Sequence, residues 1–209
     1  MKLLVGLLLL SAILVASSGQ CHTIALHGIA FSDEKGGFVL ERVTGKGSII
    51  DPFVVVERIT DDNGGILTFR ADPSLGNLIG SPDAIGFALV KVIKNATGHD
   101  WSTLEIELQS QLGVPSGHTD ELSYGQGTTL GRPFTASAFS VVTLMDEPFD
   151  RIECTEGDVP SGSAVTVRFV VSQPSSLREA FIAQRPGRPV SDDGTSRGRH
   201  LRGRLLASE

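Results

Sequence analysis

The sequence predicts an all-β protein, and among all-β architectures it favours an antiparallel β-sandwich of the immunoglobulin-like or jelly-roll-like type. Helical periodicity is nearly absent beyond residue 19. Short runs rich in β-branched and aromatic residues recur instead, separated by Gly, Asp, Asn and Pro. Several runs alternate apolar and polar residues, which gives a strand one dry face and one wet face. A closed β-barrel is the alternative architecture.

Ten segments have the composition of strands. In Thr103–Gln109 every second residue is apolar, as in a strand that buries one face. Residues 85–90 are apolar on both faces, as in a central strand. Turn residues at 61–65 and 160–162 separate neighbouring segments. The predicted strands are Thr23–Phe31, Gly37–Val43, Phe53–Ile59, Ile66–Arg70, Ala84–Lys94, Ser102–Gln109, Thr135–Leu144, Arg151–Thr155, Ala164–Ser172 and Ala180–Ala183.

The first nineteen residues have the three parts of a cleavable signal peptide. A positive start is followed by the apolar stretch Leu3–Ala16, and two pairs of small residues, Ser17 with Gly19 and Ala16 with Ser18, suit a cleavage site. A helix of fourteen residues spans roughly 21 Å, against about 30 Å of hydrocarbon in a bilayer. We therefore expect a secreted or extracellular protein (periplasmic in a Gram-negative cell that retains it) with no stable membrane span.

Charge divides the remaining chain into two parts. Residues 20–184, the predicted β-sandwich domain, carry 11 Lys and Arg against 21 Asp and Glu, a net charge of −10. Residues 185–209 carry six Arg against three acidic residues, and their Gly, Ser and Pro content predicts a disordered tail. An acidic domain lacks the basic footprint of a nucleic-acid-binding surface, so nucleic acid is not expected as a partner.

The predicted domain contains two cysteines, Cys21 and Cys154. In an exported protein an even pair predicts a disulfide, and reduced thiols are the alternative. Such a disulfide would close a loop of more than 100 residues, for which the chain-entropy model gives up to about 4–5 kcal/mol.

The sequence contains no recognised nucleophile, zinc or phosphate-loop motif, so no catalytic residue and no resident cofactor are assigned. Three carboxylates in five residues, Asp146, Glu147 and Asp150, are weak candidates for Ca²⁺ ligands, and a solvated turn is the favoured explanation because Ca²⁺ would need further ligands from elsewhere in the chain. A secreted hydrolase acting on polysaccharide is the alternative function. Its acid pair would come from a set of four acidic residues, which are Asp100, Asp120, Glu121 and Asp146.

A ligand surface is the other candidate site. Trp101, His118 and Tyr124 are the side chains that could contribute to one, although a single Trp and a single Tyr make an aromatic platform hard to build. Trp101 is also suited to a core or rim position. Asn95 opens an Asn-Ala-Thr sequence, which is a glycosylation acceptor in a eukaryotic host and otherwise a turn.

The middle of the chain resembles secreted bacterial β-sandwich proteins, many of which carry C-terminal sorting anchors of the PEP-CTERM type. The resemblance covers roughly residues 84–184. It rests on the Asn-x-Thr-Gly-x-x-Trp segment 95–101 with the strand after it, and on the Asp-Glu-Pro-Phe-Asp segment 146–150 with the strands after it. It implies a non-catalytic extracellular or surface domain and carries over no catalytic residues. The apolar C-terminal helix of such an anchor does not follow Ala183.

These observations together predict a secreted, non-enzymatic β-sandwich with a structural, adhesive or extracellular binding role. Extracellular matrix or polysaccharide is the partner class that this role suggests.

Overall fold

The computed structural model describes residues 21–72, 75–79, 86–117, 119–125, 134–145, 150–172 and 178–188. Within these ranges the chain forms strands, turns and loops, and no helix. The strands in chain order are β1 (Thr23–Leu26), β2 (Ile29–Ser32), β3 (Phe38–Thr44), β4 (Phe53–Ile59), β5 (Gly65–Ala71), β6 (Gly86–Asn95), β7 (Thr103–Gln109), β8 (Ser123–Tyr124), β9 (Thr135–Ala136), β10 (Phe139–Met145), β11 (Arg151–Gly157), β12 (Ala164–Ser172) and β13 (Glu179–Gly187).

The described strands form two sheets packed face to face, which confirms the predicted β-sandwich. The seven-stranded sheet has the order β1-β2-β5-β13-β7-β11-β10. The six-stranded sheet has the order β3-β4-β6-β12-β8, and β9 also pairs with β12. All pairs are antiparallel except β4 with β6, which are parallel because β5 crosses to the opposite sheet between them. Each order is an open path with two edges, so the described strands do not close into the alternative barrel.

Alternation along each strand builds the core between the sheets. In β7 the buried Leu104, Ile106 and Leu108 point inward, between polar residues that point outward. Three phenylalanines from both sheets surround Phe87, whose ring centroid lies 5.4 Å from that of Phe69, in a T-shaped arrangement. Edge-to-face geometry of this kind suits the aromatic quadrupoles and adds to the burial of apolar area.

Two predicted strands are each divided in the structure. Thr23–Phe31 becomes the hairpin of β1 and β2, because His27 and Gly28 take positive φ values of 47° and 82° at the turn. Thr135–Leu144 becomes β9 and β10, which pair in different sheets. The second division transfers the chain from one layer of the sandwich to the other.

The last strand extends beyond the predicted limit of the domain at residue 184. β13 continues to Gly187, because it pairs with the full length of β7 as far as Thr103. The remainder of the predicted tail and the predicted signal peptide lie outside the described residues. The described part of the chain contains no helix that is long and apolar enough to cross a bilayer.

The predicted disulfide is wrong, because both cysteines are free. Cys21 precedes the edge strand β1, whereas Cys154 lies buried in β11. β1 and β11 are five strand spacings apart in the same sheet, which is roughly 24 Å at about 4.8 Å per spacing. A disulfide needs Cα atoms within about 7 Å of each other. The thiol of Cys154 instead packs in the core, where burial raises its pKa to about 12.

Candidate functional site

The outer surface of the seven-stranded sheet carries an ordered array of charged side chains, here called the polar face. Its centre consists of Glu105 and Glu107 on β7, Arg151 and Glu153 on β11, and Arg185 on β13. These residues occupy the strand positions that alternate with the buried ones, so their side chains project away from the core. Cross-strand register then sets Glu153 and Arg185 on either side of Glu105.

Ion pairs connect these five side chains across three strands. Arg185 bonds Glu105 through Nη1, and its Nη2 lies 2.9 Å from Oε1 of Glu107. Arg151 lies between two carboxylates, with Nη1 at 3.3 Å from Oε2 of Glu105 and Nη2 at 3.3 Å from Oε1 of Glu153. Partly exposed pairs of this kind contribute about 0–1 kcal/mol each. Their main consequence is a fixed arrangement of charges on a rigid sheet.

Glu107 is the most buried of the five side chains at the centre of the polar face. Its side chain is only 5% exposed, and Gln109 Nε2 donates to its Oε1 at 2.7 Å. Burial raises the pKa of Glu107, but hydrogen bonds from Arg185 and Gln109 outweigh burial, and the pKa lies below its ordinary value. Glu107 is therefore ionised in the neutral range.

A second ion-pair network extends the polar face toward the β1 edge. Arg70 on β5 donates to both carboxylate oxygens of Glu34, at 2.9 and 2.7 Å, and also contacts Glu179 on β13 at 2.5 Å. Hydrogen bonds from Arg70 hold the pKa of Glu34 at about 2. The bidentate hydrogen bonding between Arg70 and Glu34 fixes the direction of the guanidinium as well as its position.

A shallow cleft of about 180 Å³ lies on the polar face between β7 and β11. Thr103, Glu105, Glu153 and Thr155 contribute to its lining. Arg151 contacts both carboxylates of the cleft. The cleft therefore presents hydroxyl and carboxylate groups with the guanidinium of Arg151 beside them, and Leu104 and Cys154 complete its lining.

The two aromatic residues predicted for a ligand surface lie in the core. Trp101 is 1% exposed, and its indole Nε1 donates to Oγ1 of Thr97 at 3.0 Å. Tyr124 is also 1% exposed, and its hydroxyl donates to the carbonyl oxygen of Ile106 at 2.8 Å. Neither ring is accessible for stacking on a ligand, because both side chains are buried. Each also satisfies its polar group with a hydrogen bond inside the fold. His118 lies outside the described residues.

Asn95 organises the turn before Trp101. Its Nδ2 donates to the carbonyl oxygens of His99 at 2.6 Å and Val159 at 2.9 Å. Its Oδ1 accepts from the backbone N–H of Thr97 at 3.1 Å and from the Thr97 hydroxyl at 2.8 Å. The amide nitrogen that would carry a glycan is thus buried and fully engaged, and a glycan does not fit on Asn95 in the folded chain.

The acidic residues proposed for a hydrolase do not converge where the structure describes them. Asp120 accepts hydrogen bonds on both oxygens, from Ser110 at 2.6 Å and from Ser116 at 2.8 Å, and it holds its own loop together. Asp100 accepts from the backbone N–H of Ser161 at 2.8 Å. These two loops lie at opposite ends of β7, which separates them by about 20 Å for a strand of this length. Glycosidase carboxyl pairs are about 5–9.5 Å apart.

The other predicted acids give no site among the described residues. Glu121, adjacent to Asp120, is exposed and has a positive φ of 57°. Asp146 and Glu147 lie outside the described residues. Asp150, the third weak Ca²⁺ candidate, is buried and accepts the backbone N–H of Tyr124 at 3.4 Å. No group of three or more His, Cys, Asp or Glu within the described ranges could hold a metal ion.

The structure also reveals a polar cluster in the core that the sequence interpretation missed. Glu57 on β4 and Lys91 on β6 are fully buried, and Lys91 Nζ lies 3.0 Å from both carboxylate oxygens. Gln184 on β13 faces them from the opposite sheet and is also fully buried. The available signal was a lysine within an otherwise apolar central strand. We refer to Glu57, Lys91 and Gln184 as the core polar cluster.

Comparison with known proteins identifies no relative of this chain, since no family model, no curated protein and no solved structure matches it. The class of protein is therefore defined by its fold and by the polar face alone.

Proposed function

We propose that this chain is an exported, non-enzymatic β-sandwich with a structural or adhesive role, and that it binds a polar extracellular polymer through the polar face. The observation that carries this proposal is the ordered network of Arg151, Arg185 and their three glutamates on the outside of one sheet. A surface that offers both hydrogen-bond donors and acceptors suits an uncharged polar polymer, such as a polysaccharide, or a polymer whose charges alternate in sign. Export rests on the sequence of residues 1–19.

The dispersed acids support this role over hydrolysis. Asp100 and Asp120 are about 20 Å apart by strand length and are engaged by loop hydrogen bonds. Glu105 and Glu153 face each other in the cleft, but the guanidinium of Arg151 lies within 3.3 Å of each. It occupies the space in which an acid pair would flank a glycosidic bond and a water molecule.

The test is co-sedimentation of the purified protein with insoluble polysaccharides and with cell-surface material from the producing organism. The double variant Glu105→Gln/Glu153→Gln removes two charges from the polar face without changing side-chain size. Glu41→Gln is the matched control, because Glu41 forms ion pairs with Arg58 and Lys94 on the other sheet. We expect at least tenfold weaker binding for the double variant and unchanged binding for the control.

Release of reducing sugar is measured in the same samples. Equal loss of binding in both variants would contradict the assignment to the polar face. Sugar release by the wild-type protein that the double variant abolishes would instead establish the hydrolase alternative at the same cleft.

A further inference from the structure

The core polar cluster contains more hydrogen-bonding groups than the described residues satisfy. Glu57 Oε1 lies 3.0 Å from Lys91 Nζ but receives no aligned hydrogen bond. The side chain of Gln184 lies close enough to Glu57 to favour its charged form, yet no described residue gives either Gln184 Nε2 or Oε1 a well-aligned hydrogen bond. Buried polar groups without partners are rare in native proteins, so the side-chain amide of Gln184, with no aligned hydrogen bond on either polar atom among the described residues, needs an explanation.

The charges of Glu57 and Lys91 are also energetically unfavourable at this buried position. Both Glu57 and Lys91 are completely buried between two apolar sheets. Burial raises the pKa of Glu57 and lowers the pKa of Lys91, and their mutual attraction opposes both shifts. Proton transfer to the carboxylate gives a neutral carboxylic acid in contact with a neutral amine. These are the two forms that react to give an amide.

We propose that Lys91 and Glu57 form an intramolecular amide bond that joins β6 to β4 inside the sandwich. The Nζ lone pair attacks Cδ of the protonated carboxyl group, and a C–N bond forms. One proton passes from the nitrogen to the hydroxyl oxygen, the C–O bond breaks, and water leaves. No oxidant, reductant or other reactant is required.

The product accounts for the unpaired groups of the cluster. The new amide replaces two charges by one N–H donor and one carbonyl acceptor. Gln184 has a donor at Nε2 and an acceptor at Oε1 with no aligned partner among the described residues, and these match the new carbonyl and the new N–H respectively. The surrounding core excludes bulk water, which favours condensation over hydrolysis.

The test is high-resolution mass spectrometry of the purified, denatured protein. We expect a mass about 18 Da below that of the processed chain, the loss of one water in amide formation. Digestion should give a branched peptide that joins the segment containing Glu57 to the segment containing Lys91. Peptide mapping also separates this loss from the loss of about 17 Da that accompanies cyclisation of an N-terminal glutamine, which is a similar intramolecular attack on an amide.

Two variants and a matched control locate the bond. Lys91→Met and Glu57→Leu should each lose the branched peptide and show no missing water. Lys94→Met should retain it, because Lys94 lies on the same strand but pairs with Glu41 at the surface. The wild-type measurement decides the matter if neither core variant folds.

Three results would each overturn the proposal. The first is a wild-type mass with no loss, as expected if a buried water molecule bridges the cluster instead. The second is a loss of about 17 Da that maps to Gln184, where ammonia would be the leaving group. The third is persistence of the branched peptide in Lys91→Met.

Discussion

Asn95→Asp isolates the hydrogen bonds of one buried turn, because the two side chains have nearly the same size. The substitution replaces the Nδ2 donor by an oxygen that faces the carbonyl oxygens of His99 and Val159. Each buried carbonyl that loses its donor costs about 1–3 kcal/mol. Two such losses, with a carboxylate placed in a buried site, predict a decrease of about 3–5 kcal/mol in the free energy of unfolding at pH 7.

The assay is urea denaturation followed by tryptophan fluorescence. Trp101 is the single tryptophan of the chain and donates to Thr97 within the same turn, so the probe is part of the perturbed structure. Asn63→Asp is the matched control, since Asn63 lies in the exposed turn between β4 and β5. We expect the control to change the free energy of unfolding by less than about 1 kcal/mol, as for most surface substitutions.

The pH dependence of Asn95→Asp provides a second check. A protonated aspartic acid can donate one hydrogen bond, so the difference from wild type should shrink toward pH 4. The reasoning would be refuted by a variant within about 1 kcal/mol of wild type at pH 7, or by equal effects of the two substitutions.

Three further predictions concern the core, the thiols and acid stability. Phe87→Ala should lower the free energy of unfolding by about 4 kcal/mol, and Phe87→Leu by less than half of that, measured by urea denaturation; equal effects would contradict the role of the aromatic contacts. Iodoacetamide should alkylate exposed Cys21 in the native protein and buried Cys154 only after denaturation, as read by peptide mass, and reductant should leave the melting temperature unchanged. Glu34 has its pKa lowered to about 2 by Arg70, so its contribution to stability is complete above its ordinary pKa near 4.5 and is lost as the pH falls to about 2. Glu34→Gln should flatten the loss of stability in that interval, and an unchanged acid titration of unfolding would refute this.

The segments with clean alternation were the predictable part of the fold. The predicted strand Ser102–Gln109 is one residue longer than β7, and its alternation gave the face that each residue occupies. The pattern also placed Glu105 and Glu107 on the solvent-facing side of the strand. They are two of the five residues at the centre of the polar face. Burial of one side of a strand repeats every two residues, and this local rule holds wherever the strand sits in the sheet.

The order of the strands within each sheet could not be predicted from the alternation pattern. The division of residues 135–144 between two sheets and the parallel pairing of β4 with β6 depend on contacts between distant segments. The disulfide prediction failed for this reason, because the sequence shows two cysteines but not the four strands between them. The ion pairs of Arg151 and Arg185 also require β7 to lie between β11 and β13.

The sequence by itself determined that this chain forms short, one-sided strands joined by turns, because hydrophobic alternation and turn chemistry are local properties. The tertiary structure decided which residues became a surface and which became a core. Trp101 and Tyr124 suit either location by composition, and only the packing of the two sheets buried them. Lys91 reads as a polar interruption in a strand, and only the opposing sheet encloses it with Glu57 and Gln184.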